Sequence, residues 1–391
     1  MRRRGAIGLV IGLSFVIGLQ PDIGWLGTAV RIDASGDAEL IARVRPKLER
    51  IVRQTPFVGA TVVVVADGKE AIIGLGRRDL HTTEPLGGST LYEIGSISKT
   101  FTGILLAHEI RSGRVTLDSL VNDHLPDGLR LPDTIEAPIL LRHLTTHRSG
   151  LVRKVEGMGG LFGTIFGRDT MSDVTSELFW SAVKAADLQS PPGAKVLYSN
   201  FGTALLGNLL ARPQHDSFTN MFQKIIGEPL EMPDTTIRPD EDQLSRWAQG
   251  YRSIVRLGPV ALTFEADHNE VPDVLAGMGG FYSTGSDMLK YLKANLGEAN
   301  SPLLASMRLS HEKLDDWRDD LSLGMNWLHR EFEGHRFVWH NGRMSGHRCF
   351  IGFNPERKVA ITILTNPQVY LDWYGADLLK LLSEDDSDES A

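Results

Sequence analysis

The sequence predicts an α/β (α+β) fold in which strands from both ends of the chain share one antiparallel sheet, flanked by helices, with a mostly helical lobe inserted between them. Apolar, β-branched segments lie near the N-terminus, at 60–65 and 71–75, and again near the C-terminus, at 349–353 and 359–364. The long stretch between them is richer in apolar residues three and four apart, which is helical spacing. The chain therefore divides into a sheet-forming part, 36–90 with 290–382, and a helical lobe, 91–289, forming a single unit over 36–382. A length of 391 residues accommodates such a body with its insertion.

Taken in order, residues 37–54 carry Leu40, Ile41, Val44, Leu48 and Ile51 on one helical face. Segments 60–65 and 71–75 flank Asp67-Gly68, a pair suited to the left-handed residues of a two-residue hairpin turn. The stretch 96–112 reads as a long apolar-rich helix stopped by Gly113. Further helices are expected over 139–146, 203–210, 218–226 and 287–296. A second hairpin turns through Asn354-Pro355-Glu356-Arg357-Lys358, and 371–382 closes the chain as a helix. The glycine-rich apolar segment Gly157 to Gly167 reads either as a surface loop tucked onto the body or as a lid beside a cleft.

Composition excludes several classes. A chain that is 42% hydrophobic and 23% charged is not disordered as a whole. Of the net charge of −8, five units come from Glu384, Asp385, Asp386, Asp388 and Glu389, a solvated, disordered tail at 383–391. The nearly neutral body offers no broad cationic face, so nucleic acid is not an expected partner. The single cysteine, Cys349, excludes a disulfide framework and any CxxC motif. At the N-terminus, Arg2, Arg3 and Arg4 precede an apolar run from Gly5 to Leu19, the form of a signal sequence. The run is shorter than the roughly 20 residues of a spanning helix. Residues 1–29 are read as a signal peptide cleaved after Ala29 or as a short membrane anchor, and the protein as exported to the periplasm or exterior.

There is no GxxxxGK[ST] loop, and the two GxG starts at Gly157 and Gly277 have Phe162 and Tyr282 where a third glycine would stand. His108-Glu109 begins a helical zinc motif that Ser112 fails to complete, so no metal is expected.

The informative segment is Tyr92-Glu93-Ile94-Gly95-Ser96-Ile97-Ser98-Lys99. A serine hydroxyl needs a base, and Ser96 and Lys99 are one helical turn apart on a shared face. The apolar residues that follow imply a buried helix, where desolvation lowers a lysine pKa. Two later segments extend the pattern: Tyr198-Ser199-Asn200 after a proline-glycine turn, and His340-Asn341-Gly342 before the C-terminal strands. Ser98 is expected to support the helix, His143 and His147 to be structural, and Tyr92 and Glu93 to shape the turn before Ser96.

This ordered triple, with LRHLTTHRSGL at 141–151, AGMGGFYSTGSDM at 276–288 and FIGFNPERKVAITILTN at 350–366, resembles the serine β-lactamase and penicillin-binding protein superfamily. The likeness is greatest to class C β-lactamases and their D-Ala-D-Ala peptidase relatives. It implies a β-lactamase/transpeptidase-like fold, Ser96 as a nucleophile forming an acyl-enzyme, and Lys99 and Tyr198 sharing proton transfer. Lys99 and a protonated His340 would favour a tyrosinate. The resemblance further implies substrate binding by Asn200, His340, Asn341, Gly342 and Arg343, an oxyanion hole from the backbone N–H groups of Ser96 and of Arg343 on an edge strand, and no cofactor. His340-Asn341-Gly342 departs from the usual Lys-Thr-Gly, removing a fixed charge and a hydroxyl; Arg343 either restores the anion contact or points outward. The expected substrates are small β-lactams or D-alanyl peptides. A carboxylesterase, or a penicillin-binding sensor that acylates without turnover, is the alternative.

Overall fold

The computed structural model describes residues 31–54, 58–134, 136–154, 171–257, 260–344, 346–367 and 369–384. The leader, the segment Gly157 to Gly167 and nearly all of the acidic tail lie outside the described residues.

Nine strands form one antiparallel sheet in the order β1-β3-β2-β13-β12-β11-β10-β9-β8. Its N-terminal members are β1 (Ile32–Gly36), β2 (Gly59–Ala66) and β3 (Lys69–Gly76). Its C-terminal members are β8 (Asp315–Arg318), β9 (Leu321–Leu323), β10 (Leu328–Phe332), β11 (His335–Met344), β12 (His347–Asn354) and β13 (Val359–Thr365). The two ends of the chain meet where β13 pairs with β2, from Ala360↔Val65 to Thr365↔Ala60. Asp67 and Gly68 are both left-handed (φ 52° and 72°), as the two-residue hairpin turn requires.

All eight residues of β2 are buried because both faces of the sheet are covered. Val62 and Val64 pack with helix α1 (Ala38–Gln54) and the closing helix Asp372–Ser383, while Val63 and Val65 face the core of the lobe. On α1, Leu40, Val44, Leu48 and Ile51 are buried, the face read from the sequence. The lobe is centred on helix α2 (Ser98–Arg111), whose residues are continuously buried from Ser98 to Ala107. Such an all-round apolar helix belongs in a core. It is followed by α3 (Asn200–Ala211) and bounded by α4 (Gly285–Asn295), with two-stranded pairs β4 (Leu91–Glu93) with β7 (Tyr282–Thr284) and β5 (Gly250–Leu257) with β6 (Val260–Ala266).

Sequence and structure differ at β10 and β11. Their hairpin turns through Glu333 and Gly334, both left-handed (φ 47° and 81°), although glutamate is a weak turn signal. The expectation that Arg343 follows His-Asn-Gly on an edge strand is half right. β11 pairs with β10 only from His335 to Trp339, so that half is interior; from His340 to Met344 it pairs with β12 alone, and its other edge is open.

Candidate active site

Ser96 lies in the tight turn Gly95–Ile97, between β4 and α2. Gly95 is left-handed (φ +54°), and a Cβ there would lie 2.6 Å from the Arg343 amide nitrogen. A Cβ on Gly342 would come within 1.9 Å of the Ile94 carbonyl oxygen. These two glycines let the nucleophile turn press, backbone against backbone, on the open edge of β11, with the Arg343 amide at the seam. Ser96 is partly exposed while Leu91 to Gly95 and Ile97 to Leu106 are buried.

One turn along α2, the Lys99 Nζ lies 3.0 Å from the Ser96 Oγ and also donates to the Met278 carbonyl. Lys99 is fully buried, and among the described residues no carboxylate pairs with it. Burial, with the Arg153 guanidinium adding to it, holds its amine well below the usual lysine range. A neutral amine beside a serine hydroxyl can accept its proton.

Tyr198 stands close enough to the same serine for the Ser96 hydroxyl to act on its phenol. Its ring is flanked by Lys99 and Arg153, whose Nζ and guanidinium carbon each sit 5.2 Å from the ring centroid. Behind it stands His147, ring centroids 4.3 Å apart. The Leu197 N–H donates to the His147 carbonyl (2.7 Å) and the Ser199 N–H to its Nδ1 (3.3 Å), so His147 grips the chain on both sides of Tyr198. Ser199 caps α3 by accepting from the Gly202 N–H, which sets Asn200 in the first turn with a buried Oδ1 that has no partner among the described residues.

The expectation of a charged Lys99 and His340 drawing a proton from Tyr198 is corrected here. Burial pushes the Tyr198 phenol up to about 12, against the Ser96 hydrogen bond and the charges of Arg153 and Arg348. Burial, then Lys99, pushes the His340 imidazole down to about 3. The His340 Nδ1 lies 2.6 Å from the Asn341 carbonyl oxygen, so a neutral ring carries its proton there and leaves Nε2 as the acceptor. Desolvation thus works against the positive charge of both groups expected to create a tyrosinate. The cations near the phenol are instead two arginines from remote segments.

The Asn341 amide donates to Asp372 (2.7 Å), which also pairs with Arg348 (3.2 Å), tying β11 to the start of the closing helix. The Arg343 side chain is exposed. Ser98 is buried, its Oγ donating to the Gly95 carbonyl (2.7 Å), and thus braces the nucleophile turn. The His143 Nδ1 accepts from the Leu140 N–H at the start of a short helix. Glu93 accepts from both nitrogens of Asn269 and pairs with His347 (3.1 Å), anchoring β4 just before Ser96. The structure thus brings Ser96, Lys99, Tyr198, His340, Gly342 and Arg343 together where lobe meets sheet, with Asn200 two residues beyond Tyr198 at the start of α3. Arg153, Arg348 and Asp372 join them from positions that no motif marked, and the Met278 carbonyl from the segment 276–288 that carries part of the resemblance.

Comparison with known proteins places this site in context. A family model described as Beta-lactamase matches residues 44–377. The D-alanyl-D-alanine-carboxypeptidase/endopeptidase AmpH of Escherichia coli (strain K12) is 30% identical over 245 residues, 61% of this chain; the chain thus spans only 58% of that relative's length. A Beta-lactamase of Yersinia enterocolitica is 24% identical over 358 residues, 83% of this chain and 86% of the relative. Among solved structures, a beta-lactamase/D-alanine carboxypeptidase from Yersinia pestis, complexed with citrate, superposes with a TM-score of 0.75 at 21% identity, covering 89% of this chain and 99% of that one. A class C beta-lactamase does so with a TM-score of 0.73 at 20% identity, covering 88% and 96%. At these identities the superpositions establish the fold.

Proposed function

Because the chain belongs to the β-lactamase family, we propose that residues 36–382 form a serine hydrolase that passes through an acyl-enzyme, acting as a β-lactamase or a D-Ala-D-Ala peptidase on small β-lactams or D-alanyl peptides. The observation that carries this reading is the Ser96 Oγ 3.0 Å from a buried Lys99 that no carboxylate among the described residues pairs with, and whose Nζ lies 5.2 Å from the centroid of the Tyr198 ring.

Lys99 takes the Ser96 proton as Oγ attacks the carbonyl carbon. The amides of Ser96 and Arg343 stabilise the developing oxyanion, a type of contact worth about 3–4 kcal/mol per donor. Tyr198, protonated because burial raises its pKa, donates to the leaving nitrogen and is resupplied from Lys99. Asn200 turns its unpartnered Oδ1 toward a substrate amide N–H, and the His340 Nε2 lines the groove as a neutral acceptor. Asn341, held by Asp372, and Gly342 set the height of the strand edge. Nucleophile, base and acid are all side chains, so the chemistry calls for no cofactor. Water then releases the acyl group.

The neutral His340 in place of a fixed cation favours, as second reading, a carboxylesterase on the same site. The basic, apolar leader supports export, with cleavage or retention as a tether read from the mass of the mature protein. Among the described residues, no helix is long and apolar enough to cross a membrane.

Time-resolved intact mass of the purified protein with a penicillin, beside Ser96→Ala, tests the reading while loss of the drug is followed. A serine-dependent adduct that clears as drug disappears is the lactamase outcome. A persistent adduct indicates a peptidase or sensor; no adduct and no drug loss shifts the activity to esters.

A further inference from the structure

Beyond the oxyanion position, the open edge of β11 runs from Arg343 toward Gly346, where it meets the start of β5. The Tyr251 N–H donates to the carbonyls of Asn366 (2.7 Å) and Gly346 (3.3 Å), and a Cβ on Gly346 would lie 2.5 Å from the Gly250 backbone. Arg252 is the next residue along, at the same seam. Its Nε is buried and, among the described residues, has no hydrogen-bond partner. Lys154, just after the Arg153 that stacks on Tyr198, feels the charges of both Arg252 and Arg343 as well as that of Arg153.

Among the described residues, none of Lys154, Arg252 and Arg343 shares an ion pair with a carboxylate. Glu93, whose charge reaches Arg252, is already committed to Asn269 and His347. Like charges that act on one another across this seam repel, and an oxyanion that accepts from several of them at once relieves that repulsion. The direction along the groove follows from the chemistry. The leaving group must face its proton donor, Tyr198, so the remainder of the acyl group extends the other way, past Arg343 toward Arg252.

We propose that Arg252, Arg343 and Lys154 form a subsite for a carboxylate carried on the acyl side of the substrate, making this enzyme selective for acidic acyl groups. The inference rests on the acyl-enzyme reading and adds a substrate class to it.

The test compares p-nitrophenyl valerate with the p-nitrophenyl monoester of glutaric acid, which are close in size and differ by one carboxylate on the acyl chain. The full-length enzyme is expected to favour the glutarate ester by about tenfold or more in kcat/KM, and added salt should erode the preference. Arg252→Gln combined with Lys154→Gln should lower the ratio by about tenfold, chiefly through KM, in protein whose Tm shows that it is folded. Equal use of the two esters by the native enzyme, or a ratio the double variant leaves unchanged, overturns the subsite. Hydrolysis that depends on Ser96 but shows no anionic preference defeats the subsite and spares the hydrolase reading. If neither ester is cleaved, glutarate and valerate are titrated calorimetrically: binding of glutarate alone, lost in the double variant, keeps the subsite, and the hydrolase reading is decided by the penicillin experiment. No preferential binding of glutarate overturns the subsite.

Discussion

His340 shows how far a residue's surroundings can reverse its expected chemistry. An exposed histidine near neutral pH shares its proton with solvent, whereas here burial and the neighbouring Lys99 leave the ring neutral, with its donor committed to the Asn341 carbonyl. Lys99 is displaced in the same direction and by the same cause. The sign follows directly. The active form carries a neutral Lys99; because its pKa is lowered, that form persists to lower pH than an ordinary lysine would allow, and activity falls as pH drops through the lowered value. Tyr198, pushed up to about 12, keeps its proton and gives no basic limb below about pH 10. A kcat/KM profile on a non-ionising ester is therefore expected to show one acid limb belonging to Lys99. His340→Asn should leave that limb within about half a pH unit. A limb that vanished with the imidazole would make His340 the titrating group.

Strand β11 and the nucleophile turn illustrate what elements contribute. Neither bears reactive chemistry in its backbone pattern, yet their contact sets the distance between Ser96 and the Arg343 amide. Gly342 is the tightest point, with the Ile94 carbonyl where a methyl would go. Gly342→Ala must push strand and turn apart. Displacement of about 1 Å in a catalytic constellation costs on the order of a hundredfold in rate. We expect such a loss in kcat, with far-UV circular dichroism unchanged and adduct formation slowed rather than abolished. A fully active alanine variant would mean that the seam does not set the oxyanion geometry. The open half of β11, from His340 to Met344, gives the same element its second task, since an unpaired strand edge is a ready surface along which an extended substrate can lie.

At the scale of the whole molecule, sheet and lobe share one core although the chain builds them from separate stretches. Val63, Val338, Ile351, Phe353 and Leu364 of the sheet belong to the same buried cluster as Phe101, Leu105, Phe222 and Phe281 of the lobe. Helix α2, buried on every side, would expose an apolar surface if either part opened alone. Calorimetry of the purified protein is accordingly expected to show a single cooperative transition. Two resolved transitions would mean that lobe and sheet unfold independently and that the groove between them is a domain boundary.

The sequence by itself determined the two hairpins, the face of α1, the buried helix after Ser96, the pairing of chain ends in one sheet, and the family pattern of Ser96, Lys99, Tyr198 and His340. Each of these rests on local information: a period, a turn dipeptide or a short motif. Only the tertiary structure decided the burial that keeps His340 neutral, the half-open edge of β11, the grip of His147 on Tyr198, and the gathering of Arg153, Arg252, Arg343 and Arg348 around the site. Charge state depends on burial and on neighbours from distant segments, and a strand's edge depends on where its partner stops. Neither quantity is written in the spacing of residues along the chain.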